Sequence, residues 1–137
     1  MIPRRLLARA AALALLGAAV ACADSVVRQV GPVNDPELVN VTDSLYFIAS
    51  DLENVNDQFT WSWENTGTRA EVLHRAFIHH GYGILTIDDA VGTRVDSTLL
   101  EWELDASSRE GVPGTWTVTL ILAGARGRAE FYLLGRP

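Results

Sequence analysis

Between residues 58 and 71 the chain reads QFTWSWENTGTRAE, and its first half alternates apolar and polar side chains one for one. Phe59, Trp61 and Trp63 share one parity; Thr60, Ser62 and Glu64 share the other. Successive side chains of an extended strand point to opposite faces, so a period of two describes a strand with one buried and one wet face. A helix would place its apolar residues three and four apart. Tryptophans on one strand face need a second layer to cover them, which commits this segment to a layered β structure. Asn65-Thr66-Gly67-Thr68 then reads as a tight turn, because Asn tolerates left-handed backbone and Gly adopts positive φ without penalty. The stretch is expected to form the central hairpin.

The same alternation recurs along the chain. Leu45, Phe47 and Ala49 alternate with Tyr46, Ile48 and Ser50. Residues 51–57 (DLENVND) read as a polar connection. Residues 70–78 read as a strand, with a short helix as the alternative because Ala70 to Ala76 contains helix formers. His79-His80-Gly81-Tyr82-Gly83 reads as a loop, residues 84–88 as a strand, Asp89 to Gly92 as a turn and residues 93–95 as the start of a return. Across residues 99–104, Leu100, Trp102 and Leu104 oppose Glu101 and Glu103, the pattern of a half-buried strand. Residues 105–114 form a long polar turn. A last hairpin is expected from residues 115–122, where Trp116, Val118, Leu120 and Leu122 share a face, through a turn at 123–127, to residues 128–134 with Ala129, Phe131 and Leu133 together. The expected fold is all-β: a two-sheet sandwich of about eight strands with Greek-key links, a small barrel standing second. Trp61 or Trp63, Trp102 and Trp116 are expected to anchor its core.

Residues 1–21 have the parts of an export signal: Arg4, Arg5 and Arg9, then a twelve-residue apolar run. Twelve residues are too few to span a bilayer as a helix, so the segment is set apart from the fold. Two cleavage readings stand. Ala19-Val20-Ala21 or Ala21-Cys22-Ala23 suits an ordinary signal peptidase. Ala19-Val20-Ala21-Cys22 resembles a bacterial lipobox, with Ala19 where that pattern has leucine, and the resemblance implies lipidation of Cys22. Cys22 is the only cysteine, so it has no partner for an intramolecular disulfide. Residues 22–40 are expected to be a tether and an edge strand, and residues 41–137 the β-sandwich.

The central tryptophan strand, the Asn65-Thr66-Gly67-Thr68 turn and the unit Gly111-Val112-Pro113-Gly114-Thr115-Trp116-Thr117-Val118 resemble the immunoglobulin-like modules of exported bacterial proteins. The resemblance covers roughly residues 41–134 and implies an adhesive, spacer or ligand-binding part without a catalytic role. The cysteine pair that bridges antibody domains is absent.

After the leader, eight arginines and no lysine face seventeen acidic residues, a net charge of −9. That balance opposes nucleic acid and anionic membrane surfaces. His74, His79 and His80 are the only histidines. A transition metal would need them to converge with a group such as Glu71 or Asp88, and no familiar ligand spacing is present. Asp51, Glu53, Asn54 and Asp57 make a calcium-like oxygen set without the spacing of an EF-hand. Asp88, Asp89 and Asp96 flank another turn. Glu101 and Glu103 share a strand face, which suits solubility better than paired acid chemistry. No Gly-x-Ser-x-Gly elbow or phosphate loop occurs. An exposed Trp61 or Trp63 beside Tyr46 or Tyr82 would stack a sugar or a peptide. The sequence thus predicts a non-enzymatic envelope or periplasmic protein, tethered to the membrane through Cys22, needing no cofactor and meeting a protein partner. A carbohydrate or small-ligand module is the alternative. A row of exposed aromatics beside polar groups would favour the alternative, and a flat apolar face the protein partner.

Overall fold

The structure, a computed structural model, describes residues 28–137. The expected leader and Cys22 lie outside the described residues. The described chain is all-β: β1 (Glu37–Val41), β2 (Ser44–Asn65), β3 (Arg69–Arg75), β4 (Phe77–Asp88), β5 (Arg94–Leu99), β6 (Glu103–Ser107) and β7 (Gly114–Arg136). A 3-10 turn at Pro32–Asn34 precedes them. All strand pairings are antiparallel and belong to one sheet.

β2 and β7 are 22 and 23 residues long, against roughly 5–6 for an ordinary strand. They pair from Ser44–Leu134 to Asn65–Gly114, with register shifts between Ala49 and Asp57. β3 and then β4 follow the other side of β7. All three tracks are irregular at the same level: φ is positive at Asp51 and Asn54 on β2, Gly81 on β4, and Gly124 and Gly127 on β7. Bulges bend a strand and sharpen its twist. Aligned across three neighbours, they fold the sheet onto itself. The first layer holds β1, the start of β2, the end of β7, β3 and β6. The second holds the end of β2, the start of β7, most of β4, and β5.

The core lies between these layers. Leu45, Phe47, Val72, Phe131 and Leu133 come from the first; Trp63, Leu85, Ile87, Trp116, Val118 and Leu120 come from the second. Phe47 meets Trp61 across the gap at 5.1 Å between ring centroids. Trp63 and Trp116, directly opposite in the β2–β7 register, pack edge-to-face at 6.0 Å and 88°.

The sandwich-class reading agrees with the structure, but several links differ. β2 and β3 are not a hairpin, because β7 runs between them. Residues 65–68 instead arch from one layer to the other. Residues 51–57 continue β2, with Leu52 and Val55 buried and the polar residues placed on the bulges. Residues 79–83 belong to β4 and 123–127 to β7, so the last hairpin is one bent strand. Residues 70–75 are strand, not helix. Residues 99–104 are not one strand: Leu99 ends β5, residues 100–102 cross over, and Glu103 and Leu104 open β6; Leu100 is buried, but Trp102 is 69% and Leu104 46% exposed. Trp102 is therefore not a core anchor, whereas Trp63 and Trp116 are. The segment before β1 is fastened to β2: Arg28 pairs with Val55, Val30 N donates to Asp57 Oδ2, and Asn34 Nδ2 donates to the carbonyls of Ser50 and Asp51.

Candidate functional site

The residues singled out for metal or acid chemistry are kept apart. His74 is buried on the inner face of β3, while His79 and His80 are exposed at the start of β4. Glu71 pairs with Arg136 and Asp88 with Arg94. Asp89 is a turn clamp, its carboxylate accepting from the backbone N–H groups of Val91, Thr93 and Val112. Those bonds, led by Val112, hold its carboxyl below the usual range. Asp57 accepts from Val30 and Gln58, and Glu53 pairs with Arg28. Glu103 lies on β6, and Glu101 on the crossover before it. Among the described residues no group of three or more His, Cys, Asp or Glu side chains is arranged to hold a metal ion.

Ala70, Val72 and His74 share the inner face of β3, so the parity of the sequence already pointed His74 inward. Neither of its ring nitrogens makes a well-formed hydrogen bond, the approach of the Leu99 backbone falling short of one. Burial pushes His74 below its ordinary value of 6.5, opposed by the charge of Asp96 and by the Leu99 backbone. Asp96 is itself raised above 3.8 by burial, against the Thr98 hydroxyl, His74 and Arg109. The two groups act in opposite directions. For His74 the unfolded chain takes up the proton first, so stability is full above about 6.5 and is lost as pH falls toward the lower folded value. For Asp96 the contribution is full below 3.8 and is lost as pH rises through the folded value. His74→Leu removes the first dependence and a buried imidazole that makes no well-formed hydrogen bond. We expect it to flatten the stability profile below pH ~6.5 and to add about 1–2 kcal/mol at acid pH. Urea midpoints at two pH values check this; an unchanged acid slope would contradict it.

The outer faces of the two layers differ. Across the second layer, Thr60, Thr119, Thr86 and Ser97 are consecutive partners and form a row of hydroxyls. Across the first, the corresponding row is Val39, Tyr46, Tyr132, Leu73 and Asp105. Tyr46 stacks on Tyr132 at 4.4 Å, and its hydroxyl donates to Glu130. Burial, aided by Glu130, pushes that hydroxyl far above the usual range. Val41, Ile48 and Leu134 extend the apolar area, the Arg128–Glu130 pair borders it beside Ile48 and Tyr46, and the Arg75–Asp105 and Arg136–Glu71 pairs occupy its far side. The apolar side runs out to β1, which ends the sheet. All five residues of β1 are exposed, with Leu38 at 45%, Val39 at 51% and Val41 at 55%.

A groove of about 810 Å³ lies at the fold line. It is lined by bulge residues of β2 and β7, by Phe77 and His79 of β4, by Trp102 of the crossover and by Glu103 at the start of β6. The sequence reading missed it, because its walls come from four separated segments. It allows a stacking face only if Trp61 or Trp63 is exposed beside Tyr46 or Tyr82, and otherwise expects Trp61 or Trp63 in the core. Of these, Trp63 is fully buried and Trp61 packs against the core, whereas Tyr46 lies on the first layer and Tyr82 is exposed on β4. No family model matches the chain, and a search of curated proteins finds no match.

Proposed function

We propose that this is a non-enzymatic protein of the bacterial cell envelope, exported by its leader, held to the membrane by a lipid on Cys22, and built to receive another protein along β1. The observation that carries the protein-binding part is the state of that edge. Among the described residues no strand pairs with the outer backbone edge of β1, and the strand presents Val39 and Val41 on the outer face and Leu38 on the other, with one charge, Glu37. An exposed edge offers unpaired N–H and C=O groups, and proteins normally blunt it with charges, proline or a covering segment. Here Pro36 precedes the strand, but the strand itself reads Glu-Leu-Val-Asn-Val. The occupant that fits is an extended segment of a partner protein. Its backbone would add a strand, and its alternate apolar side chains would continue the row from Val39 to Tyr132. The anchor rests on the apolar run that ends at a sole cysteine.

Val39→Lys with Val41→Lys tests the edge. Both positions are exposed, so each change is expected to alter stability by no more than about 0.5 kcal/mol. In mild-detergent envelope extracts the wild type should migrate in a complex larger than the single chain, and the double variant as the single chain. A wild type that migrates alone, or a variant that stays in the complex, would count against the reading. The anchor is read in parallel by intact mass and fractionation. Wild type should begin at acylated Cys22 in the membrane, and Cys22→Ala should leave it.

A further inference from the structure

We infer that the groove at the fold line is a second binding site, independent of β1, and that it takes a neutral carbohydrate chain by stacking pyranose rings on Trp102 and Phe77.

The first support is the presentation of the aromatics. Trp102 is 69% exposed and Phe77 59%. Large aromatic side chains bury well, and a pair left out in one concavity is informative where a lone exposed residue is not. Both are held in place. Phe77 belongs to β4, and its carbonyl occupies the space where a Cβ on Gly127 would stand. The crossover that carries Trp102 is tied to β4 by the two residues before it: Leu100 N–H donates to the Gly83 carbonyl, and the Glu101 carbonyl accepts from Ile78 N–H. Leu100 itself is buried. His79 lies beside Phe77 with ring centroids 5.6 Å apart. The rings therefore stand on a bonded backbone, which lowers the ordering cost of binding.

The second support is the polar lining. Asp51, His79, Glu103 and Arg126 line the groove with the rings, and Glu53, also on the wall, is paired with Arg28. Arg126 has no ion-pair partner among the described residues. Arg128, also on the wall, is engaged by Glu130 and the Arg75 carbonyl. Acceptors and donors of both signs sit together without a dominant charge. A hydroxylated neutral ligand uses both kinds, whereas a phosphate or a polyanion would face the carboxylates. A pyranose matches this division, with a C–H face for the rings and a rim of hydroxyls for carboxylate and guanidinium. The volume falls within the ~300–1,000 Å³ of small-molecule sites. A peptide fits less well, because β2, β7 and β4, which form the floor, are already hydrogen-bonded to one another.

The test uses the full chain, labelled away from the groove, on an array of neutral and acidic glycans, followed by titration of the best neutral tetrasaccharide by calorimetry for every variant, with tryptophan fluorescence as an added readout for the wild type. Wild type should bind neutral glycans and show a fluorescence change. Trp102→Ala and Phe77→Ala should each weaken binding at least tenfold, and Arg126→Gln should weaken it less. Both aromatic positions are exposed, so unchanged melting is expected to show that the variants fold. Val39→Lys with Val41→Lys should leave glycan binding intact, separating this site from the edge. Absence of binding to every neutral glycan would overturn the proposal. So would preference for acidic glycans, equal binding by Trp102→Ala, or displacement of the glycan by extended peptides at lower concentration.

Discussion

Replacing Trp116 with alanine is expected to cost the fold about 3–5 kcal/mol, the range for deleting a fully buried large aromatic. Trp116 has no exposed surface. Its ring meets Trp63 edge-to-face, and its Nε1–H donates to the Val112 carbonyl at 2.8 Å. That bond ties the start of β7 to the link that crosses back from β6. The substitution thus opens a cavity between the halves of the two longest strands and leaves a carbonyl without its donor. Against a typical stability of ~5–15 kcal/mol, one change removes a large share. Chemical denaturation checks it, with Trp102→Ala as the control. Trp102 has the same side chain on an exposed crossover, so its loss is expected to stay within about 0.5 kcal/mol. Similar losses at the two positions would mean that the crossover, not the β2–β7 pairing, holds the core.

Gly127→Ala is the second large effect, through the backbone. Gly127 has φ of 122°, and a Cβ there would stand 2.0 Å from the Phe77 carbonyl oxygen. The obstacle is main chain on a paired strand, so neither side can turn away. Gly92 separates the two causes. Its φ is 83°, but nothing lies within 4 Å of a Cβ there. Gly92→Ala should therefore pay the conformational term alone, about 1 kcal/mol, and Gly127→Ala roughly 3 kcal/mol or more once the clash is added. Thermal melting of the two variants side by side checks this. Equal losses would show that the β4–β7 approach at the fold line gives way easily. A greater loss at Gly127 would support the fold line as a fixed hinge between the layers.

The same fold line explains what the sequence shows and what it hides. Strands around Phe47, Trp63 and Trp116 are visible because burial on one face imposes a period of two. The direction the chain takes after them is not. Asp51, Asn54, Gly81, Gly124 and Gly127 carry the residue types of turns, and a bulge uses the same left-handed backbone for the same steric reason. Telling a bulge from a hairpin requires knowing which strand lies alongside, and β7 reaches β2, β3 and β4 only through distant pairings. Trp102 was misplaced for a related reason. Leu100, Trp102 and Leu104 alternate as a strand would, but Leu100 alone turns inward as the chain passes between layers. The groove depends on these bends, so its residues carry no common signal along the chain. The edge was nearer to hand: residues 22–40 read as a tether with an edge strand, and the topology puts the edge at residues 37–41, with no strand beyond it among the described residues.

The protein-binding reading rests on β1, and a photo-crosslinking amino acid placed at position 39 tests it most directly. The same group at position 119, on the hydroxyl face of the second layer, provides the comparison. Both forms are expressed in the bacterial host and illuminated in intact cells. The account predicts one adduct of defined mass from position 39, lost when Val41→Lys is added, and none from position 119. Equal adducts from both positions, or none from position 39, would contradict it.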